Sequence, residues 1–225
     1  MNTDKNQVLL DSFSPSENFY KSDLIFQHYF ANNFSTLAKK YINDKLNNMG
    51  KKAALVMDEL SLQADKYAPQ MVKRDALGRT INQIEFHPAY QEMLKIAIEG
   101  EMFYVKWAPE MQKKYLSELN HLSFSISYFY AMGECGLFCP LCMTDGVATL
   151  IDRFCDEDDK KRLLAKIYTK NITEVHTGAM FLTEKRGGSD VGANIVSATP
   201  IKNKKGYYHL NGEKWFCSNA NAEII

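Results

Sequence analysis

The sequence predicts an α+β fold: an N-terminal all-α helical bundle followed by the start of an antiparallel β domain. Three observations carry this prediction. Apolar residues recur at helical spacing up to about residue 170, the period falls to two after Asn171, and the pair Asn211-Gly212 sits between two alternating runs as a hairpin signal. The change of period divides the chain into an α-helical domain at 1–170 and a partial β domain at 171–225.

Residues 1–20 read as an extended arm docked by Phe13, Phe19 and Tyr20. From Lys21 the pattern is helical, clearest at Val56, Leu60, Ala64 and Tyr67, with Gly50 separating two segments and Pro69 ending the second. The run Asp75-Ala76-Leu77-Gly78, followed by alternating Ile84 and Phe86, predicts a turn or short hairpin. Tyr90, Met93, Leu94, Ala97 and Ile98 form one apolar stripe closed by Gly100.

Pro109 suits the first residue of a long helix whose stripe runs Tyr115, Leu119, Leu122, Ile126 and Phe129 until Gly133 interrupts it. A helix from Pro140 is apolar on most sides through Leu150, which predicts burial in the middle of the bundle. Asp156 is placed to cap an amphipathic helix that turns Leu163, Leu164, Ile167 and Tyr168 inward. In the second half, residues 175–183 and 193–201 read as strands, and 207–210 is expected to pair with 213–218 across Asn211-Gly212. So few strands, with apolar residues running to Ile225, are poorly placed to close their own core, which predicts that the chain is part of a longer protein.

Composition removes several function classes. With 27 basic and 27 acidic residues the formal charge is zero, so nothing in the overall balance draws the chain to nucleic acid or an anionic membrane. The start lacks a signal-peptide pattern and no apolar run is long enough to span a bilayer. Five cysteines, an odd number, fit free thiols in a reducing compartment, so the expected location is cytoplasmic.

Cys135, Cys139 and Cys142 are spaced C-x3-C-x2-C, similar to the cluster-holding triad of radical S-adenosylmethionine enzymes. Leu141 stands where that family favours an aromatic, and helices precede the triad where a barrel strand should. Small buried cysteines in a helical core are the expectation instead. His28, His87, His121, His176 and His209 have no metal-ligand spacing, and no G-x-S-x-G elbow occurs.

The run TEKRGGSD at 183–190 follows the apolar Met180, Phe181 and Leu182. Paired glycines let a backbone approach a ligand and turn its N–H groups outward, while Thr183 and Ser189 add hydroxyls. The run matches neither usual nucleotide motif, and spacing alone leaves it an ordinary glycine turn. In NGEKWFCSN at 211–219, strand alternation would put Phe216 and Ser218 on one face and Trp215 and Cys217 on the other. An aromatic and a hydroxyl would then point the same way, able to pack one edge of a flat ring and bond another.

At these residues the chain resembles the acyl-CoA dehydrogenase family of flavoproteins. MFLTEKRGGSDV looks like that family's first flavin-contact motif and GEKWFCSN like its second, with Lys185 replacing a usual proline and Phe216 a usual tryptophan. Those departures, with DALGRTINQIEFHPAY and CPLCMTDGVATL, resemble the alkylation-response, AidB-like branch. The resemblance implies FAD (flavin adenine dinucleotide) as cofactor, lined by Met180, Phe181, Leu182, Thr183, Gly187, Gly188, Ser189, Phe216, Cys217 and Ser218. Thr183 would bond the pyrimidine side, Ser189 would lie near the pyrophosphate or the pantetheine of a CoA thioester, Phe216 would pack on the ring edge and Ser218 would sit near N5. The helix from Pro140 would help wall the acyl pocket.

The implied reaction is α,β-dehydrogenation of an acyl-CoA or related thioester. A carboxylate takes the α proton while the β hydrogen leaves as hydride to N5. The resemblance puts that carboxylate on a glutamate of a C-terminal helical domain, so no catalytic residue is expected in this chain and Glu184 is no substitute. The whole protein is expected to be homo-oligomeric, with any nucleic-acid contact made through other regions. Two further readings stay open: a flavoprotein with a DNA-associated protective or interaction role, and a truncated helical module without catalysis.

Overall fold

A computed structural model describes residues 16–225. Phe13 lies outside them. The expected arm is instead helical where it is described: α1 (Phe19–Ser22) opens on Asn18, whose side chain accepts the Lys21 amide, and buries Tyr20. Asp23 caps α2 (Leu24–Asn33) by accepting the Phe26 amide at 2.7 Å. Ser35 caps α3 (Thr36–Lys52) and is itself held by Glu118, which accepts from the Ser35 amide and hydroxyl at 2.8 Å each.

Gly50 does not separate two helices. It lies inside α3, buried, where a Cβ would come within 2.5 Å of the Tyr20 amide nitrogen, so it marks the close passage of α1 across α3. The helix continues through a π turn at Ala53–Met57 into α4 (Asp58–Lys66). One wide turn shifts the helical phase, so Ala53 and Met57 are buried while Val56 and Tyr67 are exposed. The predicted stripe was therefore right at Leu60 and Ala64, which pack on the core, and wrong at Val56 and Tyr67.

The hairpin appears as expected: β1 (Gln70–Arg74) pairs antiparallel with β2 (Thr80–Glu85), with Gln70 opposite Glu85. Asp75 shapes the turn by accepting the Leu77 and Arg79 amides, and Gly78 takes a φ of 80°. Next, α5 (Pro88–Glu99) buries Met93, Leu94, Ala97 and Ile98 from the predicted stripe. It is followed by the short α6 (Tyr104–Trp107).

The long helix expected from Pro109 is two: α7 (Pro109–Tyr115) and α8 (Leu119–Gly133). The break turns Leu116 to solvent while Glu118 reaches the Ser35 cap. Leu122, Ile126 and Phe129 on α8 are fully buried, in one core with Ile42, Leu46 and Met57. Gly133 ends α8 where a Cβ would sit 2.9 Å from the Ala53 Cα, so the π turn and the end of α8 pass backbone to backbone.

Helix α9 (Phe138–Phe154) begins two residues before Pro140 and is not enclosed. Leu141, Thr144, Val147, Ala148 and Ile151 are buried, but Cys139, Cys142, Leu150 and Phe154 face outward. The apolar surround predicted central burial; the result is a helix with one buried face and a partly apolar exposed one. Helix α10 (Glu157–Ile167) is capped by Asp156, which accepts the Asp159 amide, and buries Leu164 and Ile167.

Glu101 fastens the bundle. It is 8% exposed, has a φ of 65°, and accepts from the Tyr41 hydroxyl at 2.5 Å, Lys45 at 2.8 Å and Lys170 at 3.0 Å. Burial alone would raise its pKa, and the bonds from Lys45, Tyr41 and Lys170 together hold it below the usual value.

The expected strand pairing after residue 170 is not what forms. Residues 175–183 contain one parallel bridge, Gly178 to Ile224, and no strand. β3 (Ser197–Pro200) pairs antiparallel with β4 (Tyr208–Asn211), and residues 213–218 join no sheet. Gly212, at φ 133°, turns the chain where a Cβ would meet Val196 at 2.5 Å, so Asn211-Gly212 guides the chain past β3 and makes no hairpin.

Candidate functional site

The two sequence motifs meet. The Trp215 amide donates to the Thr183 carbonyl at 2.8 Å, and Lys214 Nζ donates to the Leu182 carbonyl at 3.1 Å and to Glu184 Oε1 at 2.7 Å. Further along, Asn219 Nδ2 donates to the Gly178 carbonyl at 3.0 Å, and the Ala179 amide to the Ile224 carbonyl at 2.8 Å. Residues 177–184 and 214–224 thus run together as one unit, although most of it is not regular strand.

Glu184 is the organising residue, and reading the sequence missed that role. It is 4% exposed and accepts from the amides of Ile195 at 2.6 Å and Val196 at 3.1 Å as well as from Lys214. The Lys214 hydrogen bond, with the two amides, holds its carboxyl below the usual range against the opposing effect of desolvation. Such a carboxylate is a fixed anion, unsuited to taking a proton near neutral pH. The signal available in the sequence was an acidic residue in one motif and a basic one in the other, which the hairpin reading kept apart.

The paired glycines have different jobs. Gly187 is buried, exchanges backbone hydrogen bonds with Glu184 in both directions, and has no room for a Cβ, which would land on Asn194 Oδ1. Asn194 in turn donates to the Leu182 carbonyl at 2.9 Å, while its Oδ1 is buried with no partner among the described residues. Gly188 is exposed, with no atom within 4 Å of an added Cβ.

Around this frame the other predicted residues lie open. Met180 is 54% exposed, Leu182 53% and Phe216 77%; Ser189, Cys217 and Ser218 are exposed, and Phe181 and Thr183 are half-buried. Among the described residues, the amides of Met180, Phe181, Leu182 and Thr183 donate to no acceptor, nor do those of Gly188 and Ser189. Alternation did not place Phe216 and Ser218, because Phe216 takes a φ of 55° and its carbonyl accepts the Ser218 amide at 2.9 Å. Lys185, at the position of the usual proline, lies over the Trp215 ring at 5.5 Å. Lys185, Arg186, Lys214 and Trp215 line a cavity of about 270 Å³ between the two segments.

The cysteine triad is exposed, contrary to the expected burial. Among the described residues no three His, Cys, Asp or Glu side chains lie together as a metal-holding group. No helix among them is long and apolar enough to cross a membrane.

Comparison with solved structures gives the fold class first. The chain superposes on the Bd2924 apo form with a TM-score of 0.83 at 25% identity, covering 92% of this chain and 41% of the other. On Caenorhabditis elegans ACDH-11 in complex with C11-CoA the TM-score is 0.78 at 21% identity, covering 93% and 36%. The fold is that of the N-terminal portion of an acyl-CoA dehydrogenase. The profile of the adaptive response protein AidB N-terminal domain matches residues 12–172, and the chain belongs to that family.

Among curated proteins, the chain is 26% identical over 169 residues to the putative acyl-CoA dehydrogenase AidB of Escherichia coli (strain K12), covering 71% of this chain and 30% of that one. It is 22% identical over 183 residues to acyl-CoA dehydrogenase family member 11 of C. elegans, covering 80% and 29%. The chain therefore spans about three-tenths of the length of these relatives.

Proposed function

We propose that residues 180–189 and 214–218 form one wall of an FAD site in an acyl-CoA dehydrogenase-type oxidoreductase, and that the helical part, 1–170, and the region 171–225, which carries this wall, act as separate domains. The observation that carries this reading is the joining of the two motifs at Thr183–Trp215 and Glu184–Lys214. That joint leaves six amides without an acceptor among the described residues, beside three side-chain hydroxyls and exposed apolar side chains, on a pinned frame. Unused donors and an open glycine suit a flat, polar-edged cofactor with a phosphate tail, and they fit FAD.

When bound, FAD supplies the hydride acceptor for α,β-dehydrogenation of an acyl thioester. The chain's own residues would hold and orient it. The amides of 180–183 and the Thr183 hydroxyl would meet the ring's polar edge, and the Gly188 and Ser189 amides with the Ser189 hydroxyl the phosphate or pantetheine groups. Phe216 would cover an apolar edge, with Cys217 and Ser218 beside it. Glu184 would keep the frame rigid and take no part in proton transfer. The α-proton base is assigned to a C-terminal glutamate of the whole protein. That protein is proposed to be cytoplasmic and homo-oligomeric, acting on an acyl-CoA.

The test is FAD reconstitution of the full-length protein. Yellow holoprotein is expected, and a colourless protein that takes up no FAD refutes the reading. Gly188→Val is expected to abolish FAD uptake with the far-ultraviolet spectrum unchanged, because the branched side chain fills the open space; uptake at wild-type affinity would refute the placement of this loop.

A further inference from the structure

The flavin reading gives the thiols of the cysteine run no role. Cys139 and Cys142 occupy the second and fifth positions of α9, both exposed, with Pro140 between them. Residues three apart in an α-helix have Cα atoms about 5 Å apart, inside the roughly 4.4–6.8 Å range that a disulfide accepts. Both lie in the first two turns of α9. Cys135 precedes the helix and borders a different cavity, with Glu134 and Asp65, whereas Cys142 borders one shared with Asp145 and Phe124.

We propose that Cys139 and Cys142 form a reversible dithiol–disulfide site that exchanges with small disulfides such as oxidised glutathione. The Cys139 thiolate attacks one sulfur of the small disulfide, whose S–S bond breaks and releases one thiolate. The Cys142 thiolate then attacks the Cys139 sulfur of the mixed disulfide and releases the second. Both protein protons end on the two departing thiols. The protein loses two electrons and the small disulfide gains them. Burial, followed by the neighbouring Cys139, pushes the Cys142 thiol up, which suits the later, resolving step.

The site is wired to the flavin wall. Thr144, fully buried, donates to the Pro140 carbonyl at 2.9 Å and accepts the Gly178 amide at 2.9 Å, two residues before Met180. One hydroxyl therefore joins the turn that carries the disulfide to the segment that enters the site. A change at that segment bears on regulation of the proposed flavin site and rests on that reading. The thiol chemistry does not.

The experiment equilibrates the full-length protein in glutathione buffers of graded redox ratio, counts thiols by alkylation and mass spectrometry, and follows exchange at the Gly178 amide. Wild type and Cys135→Ser are expected to lose one pair of thiols, recovered by dithiothreitol. Cys142→Ser should stop at a glutathione adduct on Cys139, and Cys139→Ser should form no internal disulfide. Faster Gly178 exchange on oxidation would support the link to the site. The proposal is overturned if wild type forms no internal disulfide across the series, if the pairing disappears in Cys135→Ser, or if it survives in either of the other variants. Unchanged Gly178 exchange in a protein that does form the disulfide would overturn the link alone.

Discussion

Replacing Gly187 with alanine tests the frame of the site directly. The new methyl group lands on Asn194 Oδ1 and lies 3.2 Å from the Asp190 carbonyl, so Asn194 must swing away. That movement breaks its hydrogen bond to the Leu182 carbonyl, a loss of about 0.5–1.5 kcal/mol. Residual crowding against Asp190 brings the expected cost to about 1–3 kcal/mol. Gly188→Ala is the control: its Cβ meets nothing and its stability should stay within about 0.5 kcal/mol of wild type. Amide hydrogen exchange across 182–196 measures the local cost, and urea denaturation shows whether it spreads. In Gly187→Ala the amides of Ile195 and Val196 should exchange about 5-fold to 150-fold faster, a span that corresponds to about 1–3 kcal/mol. Equal behaviour of the two variants would refute the division of labour between the glycines.

Two further predictions concern the helical part. Phe129→Ala removes a fully buried ring that meets Phe26 at a centroid distance of 4.7 Å, and is expected to cost about 3–5 kcal/mol, read as a fall in the urea midpoint. Glu101→Gln tests the charge knot: because the folded-state pKa of Glu101 is lowered, its stabilisation is complete above the ordinary value of 4.5 and is lost as pH falls through the folded value. The variant should be less stable at neutral pH and show a shallower acid limb, and identical pH–stability curves would refute the knot.

The helical half was legible because its signals are local. Asp156 capped the helix it preceded, Pro109 started one, and Asp75 with Gly78 turned the first hairpin. The errors there came from contacts between distant segments. Gly50 looked like a breaker, yet its missing side chain admits Tyr20. The π turn moved Val56 off the buried face, a shift that a fixed 3.6-residue period cannot register.

In the second half, alternation suggested strands where Glu184 dictates a different path. Its carboxylate gathers Ile195, Val196 and Lys214, and that convergence outweighs the hairpin preference of Asn211-Gly212. The meeting of the two motifs was legible, but the geometry that joins them was not. Phe216 and Ser218 were placed on one face by a strand periodicity that their backbone does not follow.

The Glu101 knot has a consequence for how the helical part assembles. Its two lysines lie 125 residues apart, at 45 and 170, so the carboxylate can be enclosed at low cost only after the chain has folded back over that whole span. A half-built bundle with Glu101 already enclosed would hold a charge short of one partner, which penalises partial order. Closure is therefore expected to be late and concerted. The strand of chain leaving Lys170 for the site then departs from a point fixed only when everything before it is in place.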